Sequence, residues 1–278
     1  MSPNPTSIWQ NYMFRSQPIC KIFTLFALLA VCGNAFGQEP KRPDPPAAEK
    51  IAPEVATGKT LVDNTDPATN FRVVSYNIKH CLGMDNRVDL DRTAETLKKL
   101  APDFVGLQEV DKIVDRSGDV NQPVELGKRL AMHPAFGSFM EFQGGHYGLA
   151  ILSKHPIKSS QSVLLPTGNE PRVALAVEIE TPVGDNFVLV NVHFDWVEDD
   201  EFRFAQATKL KEFLDGLTIP YILLGDFNDQ PGSRTLALFQ ELATESKKPA
   251  DDHFTFSSTD PSKEIDFIFA SNSGAKTG

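Results

Sequence analysis

Four apolar runs in this chain end in residues that can do chemistry: Tyr76-Asn77, Gln108-Glu109, Asn191-Val-His193 and Gly225-Asp-Phe-Asn228. A carboxylate is a hard oxygen donor, an amide offers both donors and an acceptor, and an imidazole can hand on a proton. Each of these alone reads as a turn former or an exposed acid. Together they point to a shared edge, because the loops beyond strand ends are where sites are built.

Such ends need strands behind them. Phe71-Arg-Val-Val-Ser-Tyr76, Phe187-Val-Leu-Val-Asn-Val192, Tyr221-Ile-Leu-Leu224 and Ile265-Asp-Phe-Ile-Phe269 are rich in β-branched and aromatic residues and read as strands. Helical patterns fall between them: Asp89 to Leu100, with Asp91 as the expected cap and Pro102 as the stop, and Glu201 to Leu217. Val173 to Ile179, the turn Thr181-Pro-Val-Gly-Asp185 and the next strand predict an antiparallel hairpin. Helices beside some strands and hairpins at others predict mixed pairing in two packed sheets covered by helices.

The 278 residues are 41% hydrophobic and 23% charged, enough for one large core, and carry a formal net charge of −10. Residues 1–37 hold Arg15, Lys21 and no acid, so the acidity lies downstream. A domain this acidic lacks the electrostatic footprint for gripping nucleic acid by counterion release, although bound cations reverse the local field in acidic enzymes that act on phosphates. Residues 1–37 read as a signal peptide: two bases flank the apolar run Ile22 to Val31, and small residues follow up to Gly37. That run is shorter than the roughly 20 residues a bilayer demands. A secreted or periplasmic protein is expected, with Met13 as an alternative start. A lipid anchor at Cys32 is the weaker alternative, since Val31 is bulky. Processing removes or lipidates Cys20 and Cys32 and leaves Cys81 alone, so no internal disulfide is expected. Residues 38–70, rich in Pro, Ala and charge, read as a disordered spacer.

From about Phe71 to Phe269 the chain resembles the endonuclease/exonuclease/phosphatase superfamily, as a secreted bacterial member. The resemblance rests on six segments in order: Val74-Ser-Tyr-Asn77, Asp103-Phe-Val-Gly-Leu-Gln-Glu109, Tyr147-Gly-Leu-Ala-Ile-Leu-Ser153, Asn191-Val-His193, Gly225-Asp-Phe-Asn228 and Ile265-Asp266. It implies a four-layer α/β sandwich with two packed mixed β-sheets flanked by helices. It implies a phosphoesterase that uses Mg²⁺, with Mn²⁺ as a substitute, to assist in-line attack of water on a phosphodiester or phosphomonoester. The substrate is expected to be a nucleic acid, a lipid headgroup or a small phosphorylated molecule, acted on by a monomer without a protein partner.

By the same resemblance Glu109 and Asn77 correspond to the metal-binding pair. Asp226 orients or deprotonates the water, Asn228 supports the phosphate and His193 donates to it, with Asn191 on the same strand face for substrate contact. Asp266 corresponds to the aspartate of a Ser-Asp-His motif whose histidine the family places beyond Gly278. The domain at residues 71–278 is therefore expected to lack its last strand and that terminal His motif, and in this form to be impaired. A non-catalytic phosphate- or metal-binding domain of the same fold is the alternative. Arg116, Arg172 and Tyr147 are further candidates for substrate contact, the arginines as bidentate phosphate clamps or equally as surface ion-pair partners. His80 and His146 adjoin matched segments and are expected near the cleft. Asp195 and Arg203 are read as supports for His193 or, equally, as a solvated face.

Overall fold

A computed structural model describes residues 71–181, 184 and 186–272. The expected signal peptide and spacer, part of the Thr181–Asp185 turn and the last six residues lie outside these. Among the described residues, ten strands form two sheets. The first has the order β1-β2-β4-β3, built from β1 (Val73–Asn77), β2 (Phe104–Lys112), β3 (His133–Phe142) and β4 (Gly145–Ser153). The second has the order β5-β6-β7-β8-β10-β9, from β5 (Ile157–Leu164), β6 (Val173–Glu180), β7 (Asn186–His193), β8 (Tyr221–Asp226), β9 (Ala243–Glu245) and β10 (Asp266–Ser271). Both are mixed: β1–β2 and β7–β8 run parallel, while β2–β4, β6–β7 and β8–β10 run antiparallel. Four α-helices of the described residues flank them: α1 (Leu90–Leu100), α2 (Gln122–Leu130), α3 (Glu201–Asp215) and α4 (Arg234–Gln240).

Three apolar layers hold this sandwich. Between the sheets, Phe104, Leu149 and Ile151 meet Val177, Leu189 and Leu224. Ala94, Leu97 and Leu126 of α1 and α2 cover the outer face of the first sheet through Val105, Leu107 and Leu152. Ala207, Leu210, Leu236 and Phe239 of α3 and α4 cover the second through Val190, Leu223 and Phe269. At roughly 25 cal/mol per Å², burying faces of this size is the main force bringing the polar strand ends together. The four-layer sandwich is the architecture expected.

Local differences have physical causes. The cap of α1 is Asp89, whose carboxylate accepts from Arg92 N at 2.9 Å; Asp91 lies in the first turn and pairs with Arg129 at 2.7 Å. Helix α3 stops at Asp215, two residues before the expected Leu217, because Gly216 ends the ladder. The predicted hairpin is present as the antiparallel β6–β7 pair.

Candidate active site

The site grows from a break in the β2–β4 ladder. Leu107 pairs with Ala150 and Val110 with Gly148, so Gln108 and Glu109 together stand opposite Leu149. This β-bulge bends the strand, and Glu109 takes a left-handed φ of 57° that a non-glycine residue seldom adopts. Its carboxylate is thereby re-aimed at the strand ends. Asn77, at the end of β1, donates from Nδ2 to Glu109 Oε1 at 2.9 Å and to Asp226 Oδ2 of the second sheet at 3.3 Å. One amide therefore links carboxylates from two sheets.

The second sheet supplies the rest. His193 and Asp226 end the parallel strands β7 and β8 as register partners, with His193 Nε2 3.6 Å from Asp226 Oδ2. Asp226 also pairs in register with Asp266 of β10. Burial, then the Asp266 carboxylate, push Asp226 well above the usual carboxylate range, against its bonds from Asn77 and Asn228 N. Burial also raises Asp266, against Thr255 and Lys248. His193 moves the other way: burial and Arg172 keep its imidazole neutral far below its ordinary value. Asn228 sits at φ 50° just past the strand, its N–H on Asp226 Oδ1 at 3.0 Å and its Nδ2 on Phe194 O at 3.0 Å. Asn77, Glu109, His193, Asp226, Asn228 and Asp266 thus gather at one edge.

Beside them runs a ladder of cations and rings. Arg172 lies over Phe139 at 4.9 Å, Phe139 meets Tyr147 edge-on at 5.6 Å, and Arg116 lies over Tyr147 at 5.0 Å and Phe142 at 4.7 Å. Asp111 holds Arg116 bidentately, at 2.8 Å for each bond. Arg172 is only 3% exposed and pairs with Glu170 at 2.9 Å, yet its Nε and Nη1 meet no acceptor among the described residues. Two buried, unsatisfied donors on a fixed cation suit an incoming oxyanion. Burial pushes Glu170 and Tyr147 up, and the nearby Glu109 carboxylate acts on both in the same direction.

Asn191 requires a correction. It shares a strand face with His193 but lies two residues deeper, fully buried between the sheets. Its Nδ2 donates to Leu107 O and Ala150 O, each at 2.9 Å, and its Oδ1 accepts from Gln108 Nε2 at 2.7 Å. Its donors are spent, so it is not placed for substrate contact. Asp195 caps the backbone of Asn169 at 2.6 Å, and Arg203 bonds to Asp229, Asp195 O and Val197 O; they brace the loop after His193. Glu170 and Asp111 were not among the residues expected at the site from sequence, and Gln108 entered only as the strand-end neighbour of Glu109. Only Glu170, two residues before Arg172 and three before the predicted strand at Val173, carried a usable signal.

The donor set fits a hard divalent cation. Glu109 and Asp226 converge on one amide, Asp266 stands behind, and no Lys or Arg of the described residues lies within ion-pair distance of Glu109 or Asp226. A divalent ion would relieve this crowding of carboxylates. Asn77 presents its amide nitrogen to them while its Oδ1 accepts from Lys79 N at 3.1 Å, so ligation through its carbonyl requires the amide to turn over. A second acidic group, Asp199, Asp200 and Glu201, brings ligand atoms within 4.8 Å, but Arg234 already sits 2.7 Å from both Asp200 and Glu201.

Residues 74–278 match the model of the Endonuclease/Exonuclease/phosphatase family. Exodeoxyribonuclease III of Haemophilus influenzae is 27% identical over 183 residues, which make up 62% of this chain and 62% of that protein, so the chain spans less than two thirds of its length. A functionally unknown conserved protein from Enterococcus faecalis superposes with a TM-score of 0.60 at 22% identity, covering 72% of this chain and 87% of its own. The mannosyl-6-phosphatase of Bacteroides thetaiotaomicron gives 0.54 at 19% identity, covering 73% and 86%. The two structures share the fold. A sandwich of mixed sheets that carries these strand-end residues, matched over most of its described length, places the chain in the Endonuclease/Exonuclease/phosphatase family, whose members are generally hydrolases of phosphoester bonds.

Proposed function

We propose that this chain is an exported, Mg²⁺-dependent phosphoesterase that cleaves its substrate by in-line attack of water. The observation carrying this reading is the amide of Asn77, which joins Glu109 and Asp226 across the two sheets within reach of His193. Glu109, with Asn77, would hold the cation, which supplies charge neutralisation at the phosphate and leaving oxygens. Asp226 is placed to orient water and accept its proton. Asn228, beside it, supports the phosphate. His193, neutral because it is buried, can donate from one ring nitrogen to a phosphate oxygen without adding charge. Asp266 keeps Asp226 basic through their shared register.

Arg172 would take a non-bridging phosphate oxygen with its two unsatisfied donors. Arg116 and Tyr147 form a rigid wall for the ester group, and the net charge of −10 argues against long duplex DNA as the substrate. Export is our reading of residues 1–37, and a monomer without a protein partner is our reading of the chain's association. Turnover of Asp226→Asn and His193→Gln tests the assignment: each should lower kcat by about 10²–10⁴ with little change in KM. Parental kcat in both would remove Asp226 and His193 from the catalytic centre, and no turnover by the parent chain would leave a non-catalytic binding domain as the better reading.

A further inference from the structure

Glu109 faces the other strand ends only because β2 is bulged. If β2 were paired without the extra residue, the alternation of side chains would turn the carboxylate to the opposite face of the sheet. A left-handed φ of 57° at a glutamate must be held by its surroundings. What holds it comes from the other sheet. Asn191 of β7 sends both Nδ2 hydrogens across the interface, one to Leu107 O and one to Ala150 O, each at 2.9 Å. Those two residues are the last register pair before the ladder breaks. The Asn191 carbonyl takes Gln108 Nε2 at 2.7 Å, and Gln108 is the first residue of the bulge. Gln108 Nε2 lies also 3.2 Å from Ser75 Oγ, two residues before Asn77.

The close approach of the sheets that makes this possible depends on Gly106. A Cβ there would lie 1.9 Å from Leu224 Cδ1 and 3.0 Å from Asn191 Cγ. Asn191 and Gln108 are both wholly buried, so a lost bond leaves polar groups that water cannot satisfy. All three hydrogen bonds of the Asn191 carboxamide end on β2 and β4, the strands that meet at the bulge.

We propose that Asn191 is a positioning residue for the cation centre: it clamps the β2–β4 ladder where it breaks and so fixes the bulge that aims Glu109 at Asn77 and Asp226. This rests on the reading that Glu109 holds a divalent cation. Its chemistry is that of a partner acting through a ligand rather than on substrate, a role whose loss costs about 10–100-fold in metal affinity.

Direct Mn²⁺ binding to the 278-residue chain, followed by electron paramagnetic resonance, tests it. Asn191→Leu keeps the volume and removes all three bonds. It should raise the Mn²⁺ dissociation constant about 10–100-fold. Leu214→Ala, a core truncation in α3 far from β2, serves as a control that loses thermal stability yet should keep the parental Mn²⁺ affinity. Parental affinity in a folded Asn191→Leu protein overturns the proposal. Should circular dichroism show that Asn191→Leu does not fold, Gln108→Met decides: removing one of the three bonds should weaken Mn²⁺ about threefold to tenfold, and no change overturns the proposal. Absence of Mn²⁺ binding by the parent chain would overturn the cation reading itself, and this inference with it.

Discussion

His193 and Asp226 are register partners at the ends of adjacent parallel strands, with Nε2 of the one 3.6 Å from Oδ2 of the other. Their spacing is set by the β7–β8 ladder rather than by a loop, so the two candidate catalytic groups sit on rigid supports. The same burial that fixes them separates their proton affinities, raising Asp226 and lowering His193.

A stability consequence follows for Asp226. With its folded affinity raised above the unfolded value, the cation-free protein loses stability as pH rises from the unfolded pKa toward the folded one, because the folded state then holds the extra proton. Asp226→Asn removes that penalty while keeping an acceptor for Asn228 N. In EDTA at alkaline pH it should melt above the parent in calorimetry, although its turnover should fall. A lower melting temperature would contradict the burial argument.

Arg172→Met should weaken binding of inorganic phosphate by about 10-fold or more, since hydrogen bonds to a charged group carry about 1.5–3 kcal/mol. Competitive inhibition by phosphate measures this. An unchanged inhibition constant would show that the two free donors of Arg172 do not face the substrate.

Gly106→Ala should destabilise the domain by about 1–3 kcal/mol in urea denaturation, because the added methyl collides with Leu224 and Asn191 between the sheets.

His80 stands in a turn where Lys79, His80 and Cys81 all have positive φ, and its Nδ1 is buried without a partner. Burial, then Arg116, lower its pKa to about 4. The unfolded chain therefore takes a proton that the folded one refuses as pH falls below the ordinary histidine value of 6.5. Stability present above that pH should be lost on approach to pH 4. His80→Asn, which tolerates the left-handed backbone, should flatten the melting-temperature profile across this window.

Much of this was legible in the sequence. The β-branched runs gave β1, β7, β8 and β10, the polar residues closing apolar runs brought Asn77, Glu109, His193 and Asp226 into one candidate group, and the resemblance added Asp266. Strand β3 was not legible, because Pro134 and Gly137 interrupt its pattern and its pairing with β4 is a tertiary fact. Asn191 shows the limit most clearly. Period-two alternation correctly puts it on the face of His193, yet whether that face opens to a cleft or lies under another sheet depends on how far the first sheet extends over β7. The bulge at Glu109 is likewise invisible locally, since its support comes from a residue 82 positions away in the chain.

The central claim is a cation-assisted phosphoester hydrolysis centred on Glu109 and Asp226. It is tested most directly by hydrolysis of a nucleotide, lipid-headgroup and sugar-phosphate panel with and without Mg²⁺, using the 278-residue chain and its Glu109→Ala variant. The account predicts cleavage that needs Mg²⁺ and falls by about 10² or more on loss of Glu109. Cleavage indifferent to both Mg²⁺ and Glu109, or none in the whole panel, would contradict it.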